Sequence, residues 1–398
     1  MKVSISVGAR FHAFDMASQL ERRGCLANLV TSYPKFKVRE WGVEPRHVRS
    51  ILSHELVSRG YRMLAGRFGW RRDPQFTFNN RYDRIAARYL PEGADIVVAW
   101  SGMALHTLRR AKQLGAATVL ERNSTHIQFQ SDILAEEYGR FGLKPQLPDP
   151  RTVDRELEEY EFADHVCLPS SFAMRTFIKQ GVPRDKLFVV PFGVAPDQFA
   201  PAPKSDSVFR IIHCGSLTIR KGVHYLLQAF HELDLPNSEL WLIGSSSAEI
   251  RPFLAKYAST KVSVRGVFPQ AELHRQYTCG SVFCMASIEE GFGLVISQAM
   301  ACGLPVICTD HTAGHDLVRE GMDGYVVPIR DVDALKARIV ELHRDSEHAR
   351  EMGWNARQRI ESAGTWNHYG ERLVTEYQRI ISGAHSHRSD LAAASGRG

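Results

Sequence analysis

No stretch of this 398-residue sequence stays apolar for the ~18–20 residues that a membrane-spanning helix needs. The seven cysteines are an odd number and include no C-x-x-C pair. That spacing argues against a disulfide framework or a zinc site and for reduced thiols in a cytoplasm. No repeat of solenoid period is visible. Residues 1–8 are too short and mixed for a signal peptide, and a polar, charged helix is expected after them. Hydrophobic residues make up 44% and charged residues 24%, which excludes a disordered chain, a collagen and a coiled coil. At ~100–200 residues per domain, the length predicts at least two domains.

Basic charge is unevenly spread. Of 50 Lys+Arg and 44 Asp+Glu, residues 1–200 hold 29 and 22, and residues 35–90 alone hold 13 and 5. One N-terminal window therefore carries the formal net charge of +6. Such a window attracts anions, whether nucleic acid, anionic lipid or phosphorylated substrate, or it is simply a well-solvated surface.

Short apolar runs alternate with amphipathic stretches, as in βα units on a parallel sheet. Strands are expected at 3–7, 29–31, 95–100, 117–120, 165–169 and 187–191. Gly24 reads as a helix stop, and Ser170 as the N-cap of a helix ending at Gly181. Prolines 191, 196, 201 and 203 mark a linker over 191–203. The pattern then restarts, with strands expected at 209–213, 239–243, 262–264, 282–285, 305–308 and 324–327. Two consecutive doubly wound halves predict an α/β protein with a ligand cleft at the carboxyl ends of its strands. Residues 383–398, rich in Ser, Ala, Gly and His, are expected to form a disordered tail.

Two segments carry chemistry. Glu289-Glu290-Gly291-Phe292-Gly293 follows a buried strand and precedes a helix starting near Leu294. Glycines there let backbone approach a ligand, and the helix's free N–H groups suit an anion. Gly215-Ser216-Leu217-Thr218-Ile219-Arg220-Lys221-Gly222 is a second strand–loop–helix junction. Adjacent Arg220 and Lys221 can hold a diphosphate and stabilise its charge as it leaves. Asp331-Val332-Asp333 is formally a D-x-D metal motif, but it opens an amphipathic helix and reads as an N-cap. His385 and His387 fall in the tail and are not expected to bind metal.

Together these segments resemble the family 4 retaining glycosyltransferases, enzymes of the GT-B fold that use nucleotide sugars. The resemblance is strong over residues 155–380. It rests on Ala163-Asp164, Pro169-Ser170, Gly181-Val182-Pro183, Pro191-Phe192-Gly193-Val194, the Gly215 to Gly222 loop, Arg265-Gly266-Val267, Glu290 through Pro305, Gly314 and Gly324-Tyr325-Val326-Val327-Pro328. It implies two Rossmann-like doubly wound domains facing across a cleft. Residues 1–195 would receive the acceptor, completed by a returning helix at 366–382, and residues 204–365 would bind the donor.

The resemblance also implies roles. Glu290 matches the first acid of the E-x7-E motif that contacts the donor sugar. Phe292, Gly293, Leu294 and Val295 match backbone that meets sugar and diphosphate. Lys221 matches the phosphate lysine, and backbone near Val267 and Phe268 the region that holds the base. Two departures stand out. The second acid is Gln298, which keeps an acceptor oxygen for ribose but loses the charge. The usual Arg of the glycine loop is Ser216, with Arg220 supplying charge from another position. In the first half, His126 is expected to be the histidine that faces the donor sugar, with Arg122 and Glu121 nearby. Gly8, Arg10 and His12 follow the first strand, where Arg10 or His12 contacts acceptor or diphosphate; otherwise this is a helix start with solvated polar groups.

The expected activity is transfer of a hexose-type sugar from a UDP- or GDP-sugar, with retention and without metal or other cofactor. The acceptor is expected to be a glycan or lipid-linked molecule of bacterial polysaccharide, lipopolysaccharide or glycolipid synthesis. Basic residues interleaved with aromatics over 35–90 suit an anionic membrane surface. The expected location is the cytoplasm, peripheral on the inner face of the membrane. The alternatives are a GT-B-related epimerase or phosphorylase, or a basic nucleic-acid-binding protein. No nucleic-acid module is recognisable, so nucleic acid is not the expected partner.

Overall fold

Every residue of the first strand, Val-Ser-Ile-Ser-Val, is buried, as befits a parallel strand covered by helices on both faces. The computed structural model describes residues 1–68 and 74–395. Strands β1 (Val3–Val7), β2 (Leu26–Thr31), β3 (Val48–Ser50), β4 (Ile96–Trp100), β5 (Ala117–Glu121), β6 (His165–Leu168) and β7 (Leu187–Val189) form one parallel sheet. Its order is β3-β2-β1-β4-β5-β6-β7. A second parallel sheet follows, built from β8 (Phe209–Cys214), β9 (Ser238–Ile243), β10 (Val262–Gly266), β11 (Val282–Met285), β12 (Val306–Thr309) and β13 (Gly324–Val327). Its order is β10-β9-β8-β11-β12-β13. In both sheets the winding reverses beside the first strand, between β1 and β4 and between β8 and β11. That reversal opens a crevice at the strands' carboxyl ends.

All the expected strands form, with ends shifted by up to three residues. β3 was not anticipated. It is a three-residue edge strand, Val-Arg-Ser, with only Val48 buried, so it carries no apolar run to read.

The chain crosses between the halves at two places that touch. The Val194 N–H donates to the Gly364 carbonyl at 2.9 Å, and Val194 bridges Thr365. The proline-rich linker is pinned rather than loose. Val194 and Phe199 sit in the second core, and the Arg357 guanidinium binds the carbonyls of Pro196, Phe199 and Ala301 at 3.1, 2.8 and 2.6 Å. Helix Trp366–Ser395 returns to the first half, where Tyr369, Leu373, Tyr377 and Ile380 join Phe14, Met16 and Leu20. This helix continues to Ser395, so residues 383–395 are helical where a disordered tail was expected. The segment holds no proline, and its Ala, Leu and Arg residues favour helix despite a composition that reads as flexible.

Helix Ile127–Gly139 departs from the two-part division in another way. It follows β5 of the first sheet, yet its Tyr138 and Leu134 pack into the core of the second, with Leu217, Leu226 and Leu227. No described helix is long and apolar enough to cross a membrane.

Candidate active site

The carboxyl end of β11 supplies the first part of the site. Helix Leu294–Ala301 begins after Gly293. The Ile296 N–H donates to the Gly293 carbonyl at 2.8 Å, while the amides of Leu294 and Val295 have no partner among the described hydrogen bonds. These two N–H groups form an anion-seeking helix start. Gly291 lies against the first half, where a Cβ would collide with the Asn123 carbonyl and Ser124. The Ser170 hydroxyl donates to the Gly291 carbonyl at 2.6 Å. Main-chain contact with the opposite half therefore fixes the turn, and the Glu290 N–H is held by the His311 carbonyl at 3.1 Å.

The loop after β8 supplies the second part. Gly222 has φ +63 and starts helix Val223–Leu233, and a Cβ there would overlap the Ala286 carbonyl. This approach sets Arg220 and Lys221 beside the two acids. The Lys221 ammonium pairs with the Glu290 carboxylate. Arg220 Nε donates to Glu289 Oε2 at 2.7 Å. Burial, helped by the Arg220 guanidinium, pushes Lys221 down to about 7, while nearby carboxylate charge draws it up.

Glu289 is the residue that sequence reasoning passed over. The pair Glu289-Glu290 splits: Glu290 faces the cleft, whereas Glu289 is fully buried between the halves. Its carboxylate accepts from Thr125 Oγ1 at 2.6 Å, Ser124 Oγ at 3.0 Å, Gln130 Nε2 at 2.9 Å and Arg220. Burial alone would raise its pKa. Arg220 and the three neutral donors outweigh burial and hold it at about 2. Nothing in the local sequence marks one acid of the pair as buried, because its donors come from a loop about 165 residues away.

A cleft of about 1540 Å³ opens between the two halves. Arg10, His12 and Asn123 line it from the first half, and Glu290, Phe292, Gly293, Leu294 and Gln298 from the second. The Arg10 guanidinium lies 4.5 Å over the Trp41 ring. His12 is buried against Phe192 and Trp100, with ring centroids 4.2 and 5.2 Å away. Its Nε2 is 3.3 Å from Glu121 Oε2, but neither ring nitrogen has an aligned hydrogen bond. Gln298 is buried, and its Oε1 accepts from the Tyr277 hydroxyl at 3.2 Å. The oxygen expected to meet a ribose thus already has a protein donor.

Arg220 and Lys221 do not line the cleft themselves; Lys221 reaches its wall through Glu290, and Arg220 is paired with the buried Glu289. Other expected residues lie away from this cleft. His126 is not brought to it. The His126 ring sits 5.0 Å from Tyr160 and 4.9 Å from Phe177, and its Nδ1 accepts from the Gln128 N–H at 3.2 Å as a helix cap. It borders a smaller pocket with Tyr160 and Lys186. Burial and the Arg122 charge push its pKa down to about 4. Arg122 is committed to Glu156 at 2.6 Å and to the Thr125 carbonyl at 3.1 Å. Gly8 packs against Met103 and Tyr82. Ser216 and Val267 are exposed outside the cleft wall, Val267 by 74%. Val295 follows Leu294 at the helix start without lining the cleft. In the D-x-D segment, Asp331 accepts from the Ala334 N–H at 2.8 Å, the expected N-cap, and Asp333 pairs with Lys336 at 2.7 Å.

The basic window is mixed. Tyr82 is fully buried and its hydroxyl donates to the Val30 carbonyl at 2.8 Å, so it is core. Phe36 and Met63 are 67% and 72% exposed. Trp70 lies outside the described residues.

Two family profiles match the chain. One, described as glycosyl transferases group 1, covers residues 195–359, and the other, described as glycosyltransferase family 4, covers residues 7–198. A GDP-mannose-dependent alpha-(1-6)-phosphatidylinositol monomannoside mannosyltransferase of Mycolicibacterium smegmatis is 29% identical over 270 residues, 61% of this chain and 69% of that protein. The alpha-maltose-1-phosphate synthase of the same organism is 28% identical over 183 residues, 42% of this chain and 46% of that protein. This second alignment thus spans less than half of the relative. Among solved structures, sucrose-phosphate synthase from Thermosynechococcus elongatus superposes with a TM-score of 0.71 at 18% identity, covering 96% of this chain and all of that one. Anabaena HepE in complex with UDP-glucose gives 0.68 at 15% identity, covering 95% and 100%. At these identities the structural likeness establishes the GT-B fold alone.

Proposed function

The chain belongs to the family 4 glycosyltransferases, and on that premise we propose that it moves a hexose-type sugar, with retention, from a UDP- or GDP-sugar to a glycan or lipid-linked acceptor. The observation that carries this reading is the Lys221–Glu290 pair, which ties Lys221 to an acid of the cleft wall shortly before helix Leu294–Ala301, whose first residue also lines the cleft. A cation, an acid and a helix start converge where a diphosphate joined to a hydroxyl-rich sugar would be met on both parts.

In the proposed reaction the bond between the sugar C1 and the diphosphate oxygen breaks. The bond from C1 to the acceptor oxygen forms on the same face, and the acceptor's proton passes to the leaving diphosphate. The protein orients the two substrates and stabilises the departing charge with Lys221, Arg220 and the amides of Leu294 and Val295. Glu290 holds sugar hydroxyls and keeps Lys221 in place until the diphosphate takes up its charge. The nucleotide sugar is a substrate, and the reading includes no resident metal or cofactor.

The relative from Mycolicibacterium smegmatis is named for a GDP-mannose donor and a phosphatidylinositol mannoside acceptor, and the HepE complex for UDP-glucose. They support testing both nucleotides and a lipid-borne acceptor from bacterial envelope synthesis. We place the acceptor on the first half and the enzyme at the cytoplasmic face of a membrane, reached through exposed Phe36, Met63 and the cations of residues 35–90. A panel of UDP- and GDP-sugars, read first by thermal shift and then by product mass, tests the reading. A sugar nucleotide that both stabilises the protein and is consumed is the expected result. Stabilisation by neither nucleotide, with no turnover, overturns it.

A further inference from the structure

The loop between β5 and helix Ile127–Gly139 and that helix's first turn carry three of the four donors that satisfy Glu289, although Glu289 and Arg220 belong to the other half. We infer that Glu289 is a positioning residue that ties the seating of helix Ile127–Gly139 to the placement of Arg220 beside the donor diphosphate. The inference rests on the donor site proposed above.

Glu289 is completely buried, so its charge persists only while its donors are in place. Ser124, Thr125 and Gln130 occupy positions that water would otherwise fill, and Arg220 completes the set. Withdrawal of the three neutral donors leaves the carboxylate with Arg220 alone. Water then enters, or the Arg220 side chain turns toward the unsatisfied oxygen. Either outcome moves the guanidinium and alters the field at Lys221, which both Arg220 and Glu289 influence. Only Nε of Arg220 is engaged among the described side-chain hydrogen bonds, which leaves its terminal nitrogens for an anion.

The far end of the same helix has a matching seam of opposite polarity. Glu137 is fully buried and accepts from His224 Nε2 at 3.2 Å, the Tyr225 hydroxyl at 2.8 Å and Arg330 Nε at 2.6 Å. His224 and Tyr225 follow Arg220 and Lys221 on the next helix. Helix Ile127–Gly139 is thus fixed to the second half at both ends. Its first turn, through Glu289, reaches the cationic loop.

The test is hydrogen exchange on the full chain and on the combined variant S124A/T125V/Q130A, which keeps Glu289 and Arg220. Circular dichroism establishes that the variant is folded. The expected result is exchange about tenfold faster in peptides covering 215–222 as well as 123–131, the size of effect that losing about one net hydrogen bond produces. Faster exchange confined to 123–131 would overturn the linkage and make Glu289 a local structural acid. E289Q is the second variant. It is expected to raise the donor KM about fivefold or more while the acceptor KM stays unchanged, whereas equal changes in both overturn the positioning role. Failure of wild-type protein to bind UDP or GDP would defeat the donor reading, and the exchange comparison would still decide the linkage.

Discussion

Lys221 and Glu290 form an ion pair across 69 residues of sequence, at the point where the loop after β8 meets the loop after β11. Each keeps less than a fifth of its side chain exposed. Each charge is already paired with the other, so a diphosphate and sugar bound there would share them.

Removing either partner should therefore abolish most transfer without unfolding the chain. Lys221→Ala and Glu290→Ala are each expected to lose ~100–1000-fold in kcat, the typical effect of deleting one charge-stabilising group. Steady-state kinetics with circular dichroism checks this, and near-normal turnover in either variant counts against the site.

The two histidines of the first half separate cleanly. His126→Asn is expected to leave kcat unchanged, because asparagine still caps helix Ile127–Gly139 and the ring lies outside the main cleft. His12→Asn removes from the cleft wall an imidazole whose nearest partner is Glu121 and is expected to lower kcat/KM by about tenfold or more. Measured side by side, the reverse ranking would reinstate His126.

The contributions of His126 and His213 to stability should fall as pH drops from about 6.5 toward 4. Burial holds His126 and His213 at about 4 in the folded chain, while the unfolded chain takes up these protons near 6.5. The unfolded state binds more protons in that window, so acid favours it. Glu289, held at about 2, works outside this range: its contribution is complete above about 4.5 and is lost below. Thermal unfolding across pH 4–7 checks the slope. His126→Asn and His213→Asn should each remove about one proton from it.

Gly222→Ala should be strongly destabilising. The position has φ +63, and the added methyl would overlap the Ala286 carbonyl. Strain of ~1–3 kcal/mol plus the clash predicts a melting temperature lower by several degrees or more. Unchanged melting would mean that the loop bearing Arg220 and Lys221 can rearrange freely.

Contact with an anionic membrane predicts flotation with vesicles rich in phosphatidylglycerol at low salt and release at high salt. Phe36 is the most exposed aromatic of the window among the described residues and is flanked by Lys35 and Lys37. Phe36→Ser with both lysines changed to Glu should abolish flotation and leave turnover of a soluble acceptor intact. Wild-type protein that stays with the soluble fraction points to an acceptor met in solution.

Much of this protein is local in origin. The runs of β4 and β11 announce parallel strands by being apolar throughout, and Ser170 and Asp331 cap their helices as their residue types require. The Gly-Phe-Gly turn and the Arg-Lys-Gly loop could be read as anion-binding junctions because that chemistry depends on adjacent residues. Family resemblance then joined the two segments into one donor site.

Other properties depend on contacts between distant segments. Glu289 and Glu290 are neighbours of one type, yet one is buried between the halves and the other faces the cleft, according to which way the chain turns after β11. His12 rather than His126 lines the cleft, because the His126 ring packs back onto Tyr160 and Phe177. That helix belongs to the first half in sequence and packs with the second, through Tyr138 and two buried carboxylates. Local pattern dictates strands, caps and turns, because backbone preference and apolar periodicity act within a few residues. Which charges are buried, and which partners satisfy them, is decided only when distant loops come together and exclude water.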